Sequence, residues 1–352
     1  MFKEEYSPYK LVHHLDKIQQ IKNGEQVNPV QVHLVPANAC NQKCSFCAYR
    51  MEGSSSNQKF IESNIIPTPK LLEIIDSLHS MGVKAVQFTG GGEPLIHPGI
   101  KEAIRKTKEY GMEIALVTNG VLLDDELIDL LKDVSWVRIS MDAAISETYQ
   151  RTRKKNDFDL VINNIKKLAK VKTSTILGIG FVVNKDNWQE IYIAAKLFKE
   201  LGVDNIRLSA IFTPDGISYF DEFLAEAKWL AKETKEVLET DKFTVFNLFN
   251  DRVADLFTVK QDYDSCYLKD LVPYIGADLN VYTCCILAYN NMGLIGSIKT
   301  LTFEELWQFT GKKIFYENHN PKKHCQLPCM FREKNNFLNY CVKKDVKHIN
   351  FI

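Results

Sequence analysis

A chain of 352 residues, 45% hydrophobic and 25% charged, can bury a substantial core, which excludes a small disulfide scaffold and a wholly disordered chain. Lys plus Arg and Asp plus Glu both number 44, and a net charge of zero argues against general nucleic-acid binding, which relies on neutralising phosphates. No apolar run reaches bilayer length, and the polar residues 1–6 lack a signal-peptide core. A cytoplasmic protein with no membrane span is therefore expected, its nine cysteines kept reduced and available for metal or redox chemistry.

Taken in chain order, residues 1–29 read as an N-terminal helical cap and 30–35 as a first strand. Leu71, Ile74, Ile75 and Leu78 recur at helical spacing and predict a helix over 70–80, which Gly82 ends before a strand at 84–89. A helix over 100–110 and a strand over 113–118 follow. Then comes a helix over 125–132, with Leu127, Leu130 and Leu131 on one face, and a strand over 136–141. A helix over 160–170, a strand over 175–183, a helix over 188–201 and a sixth strand over 205–210 complete the series. Such alternation predicts an α/β fold, its parallel sheet built through right-handed crossovers. Six strands fall short of a closed barrel's eight, so the expected fold is a partial (β/α)6 TIM-like barrel spanning 30–212.

Beyond it the rhythm breaks. Residues 213–260 read as a helical connector, with its helix at 220–240. Residues 261–352 read as a C-terminal β-hairpin/helix extension, the hairpin spanning 273–285 and turning near 277–280. The tail from Gly311 shows little periodicity, and 53–57 (Gly-Ser-Ser-Ser-Asn) reads as a mobile loop.

The cysteines form two groups separated by more than two hundred cysteine-free residues. In the first, Cys40, Cys44 and Cys47 fall within eight residues, just after the first strand. Three such thiolates can hold three irons of one cubane cluster and leave the fourth open to a small molecule. Zinc bound with His33 as fourth ligand is a competing reading, and packed structural thiols are a third.

The run Cys40-Asn-Gln-Lys-Cys44-Ser-Phe46-Cys47 resembles the signature of the radical S-adenosylmethionine (radical SAM) family, including the aromatic residue before the third cysteine. The resemblance implies a 4Fe–4S cluster whose open iron chelates SAM. One electron then cleaves SAM to methionine and a 5′-deoxyadenosyl radical, which abstracts a substrate hydrogen. Thr89-Gly-Gly91-Gly92-Glu93-Pro94 is similar to the family's Gly-Gly-Glu-Pro element, implying contacts from Gly91, Gly92 and Glu93 to the SAM amino group. Asn119 and Ser140 end the third and fourth strands on the rim where sites of such folds gather, and Ser140 resembles a SAM-contacting position. Arg151 or Arg153 is suited to fork onto the SAM carboxylate, and Asn187 resembles a nucleoside-contacting asparagine. Any of these polar residues could equally cap a helix or face solvent.

In the second group, Cys266 and Cys284 have seventeen residues between them and flank most of the hairpin, while Cys325 and Cys329 form a late pair. The arrangement is similar to the reduced SPASM extension called Twitch, which carries one auxiliary 4Fe–4S cluster. Three departures stand out: Leu279-Asn280 replaces an expected glycine, the late pair has a three-residue spacer, and Cys285 and Cys341 are extra. Cys266, Cys284, Cys325 and Cys329 are the expected ligands, with Cys341 able to replace any of them and zinc as the alternative metal.

The resemblance implies a radical SAM oxidoreductase performing a dehydrogenation with help from the auxiliary cluster. Asp215, Tyr219 and Asp264 are candidates for the base such a reaction needs. A peptide or protein maturase is the second reading, and an iron–sulfur or zinc protein of electron transfer the non-enzymatic one. The implied partners are a small-molecule or peptide substrate and an electron donor such as flavodoxin or ferredoxin.

Overall fold

The computed structural model describes residues 7–54, 58–309, 319–325 and 328–347, so part of the expected 53–57 loop lies outside the described residues. Strands β1 (Gln31–Leu34), β2 (Ala85–Phe88), β3 (Glu113–Thr118), β4 (Trp136–Ser140), β5 (Ile176–Val183) and β6 (Asn205–Ala210) lie side by side and parallel. Helices alternate with them: α1 (Leu15–Asn23) precedes β1; α2 (Thr68–Ser80), α3 (Ile100–Glu109) and α4 (Asp125–Leu131) come next; α5 (Ser146–Arg153), α6 (Phe158–Val171), α7 (Ile191–Glu200) and α8 (Leu224–Leu238) follow. The α2 stripe read from the sequence is the buried one: Leu71, Ile74, Ile75 and Leu78 are fully covered.

The two faces of the sheet differ, as period-two strands allow. Along β4, buried Val137 and Ile139 join the core shared with the helices, while Trp136, Arg138 and Ser140 are half-buried on the opposite face. Along β6, Ile206 and Leu208 alternate in the same way with Arg207 and Ser209. The apolar core therefore lies between sheet and helices, and the concave face is polar.

The expectation of six parallel strands is corrected. A seventh, β7 (Thr244–Asn247), pairs in parallel with β6 inside the stretch expected to be a helical connector. It has only four residues and follows a tight Thr240–Phe243 bridge, so its alternation is too short to stand out. The extension is not a separate sheet. β8 (Tyr274–Ile275) pairs in parallel with β1, and β9 (Asn280–Tyr282) and β10 (Leu294–Ser297) continue antiparallel, giving ten strands ordered β10-β9-β8-β1-β2-β3-β4-β5-β6-β7. The β8–β9 turn needs a left-handed residue, and Leu279 supplies it with φ of 61° where a glycine was expected.

The tail is also more regular than its sequence suggested. Arg332–Val342 is a helix whose Leu338 packs against Leu11, Ile18, Leu268 and Leu271. The N-terminal cap thus leans on the C-terminal region.

Two histidines, His97 buried and His33 half-buried, give the fold an acid sensitivity. His97 accepts the Gly99 N–H at Nδ1 (3.0 Å) and donates from Nε2 to the Ile66 carbonyl (2.6 Å), an arrangement that requires a neutral ring. Burial lowers its pKa, and burial followed by nearby Lys334 lowers that of His33 to about 4. Both values are depressed in the fold, so the unfolded chain takes up protons first. Stability is expected to be full above about pH 6.5 and to fall as the pH drops from there towards about 4. Thermal melts at pH 7 and pH 5 check this, and His33→Gln should lose less stability between them than the parent.

Candidate active site

A cavity of about 390 Å³ opens at the carboxyl ends of the parallel strands. Such ends present loop residues and unpaired backbone groups, which is where parallel α/β folds place their chemistry.

The loop after β1 brings Cys40, Cys44 and Cys47 to the cavity wall. Helix α5 anchors it: Lys43 and Ser45 N–H donate to the Arg153 and Thr152 carbonyls (3.3 and 2.9 Å), and Gln42 Nε2 bonds the Tyr149 hydroxyl at 2.6 Å. Each sulfur faces a donor. The Gln42 N–H lies 3.5 Å from Cys40 Sγ, Arg153 Nη1 3.5 Å from Cys44 Sγ and Arg50 Nη1 3.8 Å from Cys47 Sγ. Burial pushes the Cys40 and Cys44 thiols above their ordinary pKa, so ionising them calls for a cationic partner.

This donor set fits thiolate ligation of an iron–sulfur cluster by Cys40, Cys44 and Cys47. Among the described residues, no three Cys, His, Asp or Glu side chains stand close enough to share one metal ion. A cubane suits wider spacing because each sulfur takes its own iron. His33 does not line the cavity; it packs edge-on to Tyr274.

The glycine run after β2 is required by backbone packing. A Cβ on Gly92 would lie 2.1 Å from the Ala39 carbonyl oxygen, and one on Gly91 2.7 Å from Asn38 Oδ1. Freed of Cβ atoms, the loop docks on the cysteine loop through Gly92 N–H to Ala37 O (3.2 Å) and Glu93 N–H to Ala39 O (2.8 Å). The Glu93 carboxylate is buried and accepts three bonds, from Leu95 N–H (3.1 Å), Thr118 Oγ1 (2.7 Å) and Asn119 N–H (2.7 Å). Burial raises its pKa despite them. Glu93 therefore ties the ends of β2 and β3 together.

Phe46, Gly91, Gly92, Glu93, Asn119, Ser140 and Arg153 all line the cavity. Arg153 is buried and committed: it pairs with Asp142 through Nη2, reaches Gln42 Oε1 at 3.2 Å and lies over the Phe46 ring. Burial alone would weaken its hold on its proton, but Asp142 and Cys44 more than offset this, and its pKa stands above the ordinary value. Arg151 is placed elsewhere. It bonds Thr148 and the Asp186 carbonyl on the outside of α5, because residues two apart on a helix point apart. Asn187 is buried below the rim, where it bonds the Asp142 and Val182 carbonyls. It acts as a brace for two strand ends.

Asp215 and Tyr219 line a second cavity of about 530 Å³, which shares Phe46 and Ile211 with the first. Asp264 lies in neither and makes an exposed ion pair with Lys322 (2.7 Å). Sequence reasoning missed Arg138, Asp142, Arg207 and Tyr49, all on the wall. Arg138 and Arg207 had a readable signal, a charge at an alternate position inside an otherwise apolar strand.

In the second cysteine group, Cys266, Cys284, Cys325 and Cys329 act on one another. Burial raises the Cys266 pKa, with Lys269 opposing and Cys329 adding to the rise, and burial followed by Cys285 and Cys266 raises that of Cys284. Tyr263 Oη lies 3.3 Å from Cys329 Sγ, and Asn335 Nδ2 3.4 Å from Cys266 Sγ. Met330, next to Cys329, lines the main cavity, and Tyr49 links the cavity to the extension through Tyr274 (Oη to Oη, 3.0 Å). Cys341 does not join the other four. It packs in the apolar cluster between the N- and C-terminal helices, with Lys22 nearby. Cys341→Ala is expected to leave iron content unchanged, whereas Cys266→Ala should remove about four irons per chain, as colorimetric iron assays would show.

Comparison with known proteins agrees with this arrangement. The family model described as "Radical SAM superfamily" matches residues 34–198. Proteins named "Probable GTP 3',8-cyclase" from Saccharolobus islandicus and Methanocaldococcus jannaschii are each 30% identical, over 173 and 185 residues respectively. The first match covers 49% of this chain and 53% of the relative, the second 51% and 58%, so the chain spans little more than half the length of these curated relatives. Among solved structures, Streptococcus suis SuiB bound to precursor peptide SuiA superposes with a TM-score of 0.64 at 15% identity, covering 96% of this chain and 79% of SuiB. Native anSMEcpe with bound AdoMet gives 0.60 at 18% identity, covering 82% and 83%. Both share this chain's fold. Among the described residues no helix is long and apolar enough to cross a membrane. Residues 34–198, a little under half of the chain, thus match the Radical SAM superfamily, whose members use a 4Fe–4S cluster and SAM.

Proposed function

We propose that this enzyme cleaves SAM reductively and oxidises its substrate by hydrogen abstraction, with an auxiliary 4Fe–4S cluster on Cys266, Cys284, Cys325 and Cys329 beside the substrate. The observation that carries this reading is the shared wall: the three-cysteine loop and Met330 of the second cysteine region line one cavity. Cys40, Cys44 and Cys47 would hold the SAM-binding cluster, which would supply the one electron for reductive cleavage of SAM.

The remaining work belongs to the chain's side chains. Arg153 and Arg50 hold positive charge against the thiolates. Carbonyls of the Gly91–Gly92 turn receive the SAM amino group, and Asn119 and Ser140 orient the cosubstrate from the rim. The apolar mouth of Ile211, Phe212, Leu248 and Leu256 keeps water from the reacting carbon. The substrate radical left by abstraction would give its proton to Asp215, in the adjoining cavity, and its electron to the auxiliary cluster, with Tyr219 beside Asp215 as a neutral phenol whose pKa burial raises. A flavodoxin or ferredoxin serves as donor, and the nine free thiols suit the reducing cytoplasm.

The test is anaerobic reconstitution followed by turnover with deuterated substrate pools. Deuterium should enter 5′-deoxyadenosine, SAM should alter the cluster's EPR signal, and Cys44→Ala should reduce SAM cleavage to background. Unchanged cleavage in that variant would refute the reading. A peptide substrate is the second reading, supported by the fold likeness to a peptide-bound enzyme over 96% of this chain.

A further inference from the structure

The charges lining the cavity do not all find partners within it. Glu93 is satisfied by three donors. Asp142 spends one oxygen on the Val182 N–H (2.6 Å) and the other on Arg153. Arg50 is paired with Glu62 at 2.8 Å. Two further guanidiniums, Arg138 and Arg207, also line the wall, and of these Arg207 is the one at issue. Among the described residues Arg207 makes no salt bridge, and its buried Nε has no hydrogen-bond partner. Asp142 is its charged neighbour, but that carboxylate is already engaged.

The sheet is built to present these two groups together. Arg138 lies on β4 and Arg207 on β6, and β5 between them carries Gly178 beside Arg138 and Gly180 beside Arg207. A Cβ on Gly180 would come within 3.3 Å of Arg138 Cδ, so the glycine leaves that side chain its path across the concave face. Trp136, one pleat back on the same face, holds the Arg138 guanidinium 4.8 Å from its ring centre. Ser140 and Ser209 flank the pair as neutral donors.

We infer that Arg138 and Arg207 form an oxyanion subsite of the cavity, and that the substrate carries a carboxylate or phosphate gripped there beside the bound cosubstrate. This rests on the reading of the cavity as the place where SAM and substrate meet. A planar guanidinium matches both oxyanions bidentately, and partial burial strengthens such bonds. The subsite fixes the anionic end of the substrate, so the position of the abstracted hydrogen follows from its distance to that end.

Equilibrium dialysis of the reconstituted holoenzyme with labelled inorganic phosphate, and separately with acetate, tests this in the presence and absence of saturating SAM. One saturable site per chain that persists with SAM bound is expected, and the stronger of the two probes identifies the kind of oxyanion. Arg207→Gln should weaken binding about tenfold or more and Arg207→Lys less, with SAM affinity held within about twofold. Arg138→Gln should act in the same direction, and melting temperature and iron content report whether each variant is folded. Absence of a saturable site, binding unchanged by Arg207→Gln, or displacement of the probe by SAM would overturn the assignment. Dialysis without SAM reads the subsite even if SAM cleavage fails, so the two proposals fail separately.

Discussion

Arg153→Ala is expected to be among the most damaging single substitutions in the chain, costing about 3–5 kcal/mol of stability. The guanidinium and the Asp142 carboxylate are 6% and 1% exposed, so its removal leaves a buried anion unpaired. The same change removes the donor to Cys44 Sγ and the Gln42 contact, and with them the order of the cysteine loop. Melting temperature and iron retained after anaerobic reconstitution should therefore fall together. The double variant Arg153→Met with Asp142→Leu separates the effects. Removing both charges should recover much of the stability without restoring iron binding, because the loop still lacks its cation. Full stability in Arg153→Ala would show that the pair is not what holds this wall.

Gly92→Ala should have a comparable effect for a steric reason. The added methyl would stand 2.1 Å from the Ala39 carbonyl oxygen and 2.3 Å from the Asn38 carbonyl carbon, and backbone cannot yield as a flexible side chain can. The expected cost is about 3 kcal/mol or more, or a loop pushed off the cysteine turn with loss of SAM affinity. Gly111→Ala is the control. It also removes a glycine, this one at a positive φ (67°), but nothing lies within 4 Å of its Cβ position, so only modest strain is expected. Circular dichroism melts and SAM binding on the two variants would show the difference, and a mild Gly92→Ala would contradict the packing described.

The barrel was legible because its strands repeat and its helices bury regular stripes; β3 and β6 coincide with the residues expected. What escaped was short or locally atypical. β7 has four residues and no flanking glycine, and Arg332–Val342 hides its few buried positions among Asn, Lys and Glu. At the site, contiguous motifs carried the reading: the cysteine run and the Gly-Gly-Glu run meet at one wall. Residues whose position depends on a helix's rotation did not follow from spacing. Arg151 and Arg153 are two apart, yet only Arg153 turns inwards. Arg138 and Arg207 belong to different strands and become neighbours only across β5, a relation that linear distance does not show.

The placement of β1 between β2 and β8 bears on how the protein comes into being at the ribosome. One flank of β1 gains its partner early, whereas the other waits for Tyr274–Ile275 near the far end of the chain. Throughout most of synthesis, that flank exposes unbonded peptide groups, the usual template for unwanted strand addition between nascent chains. Closing it demands the pairing most distant in sequence within the sheet, a slow event by topology alone. The last quarter thus completes the first strand as well as carrying its own cysteines, and loading of the N-terminal thiols is tied to the arrival of nearly everything downstream.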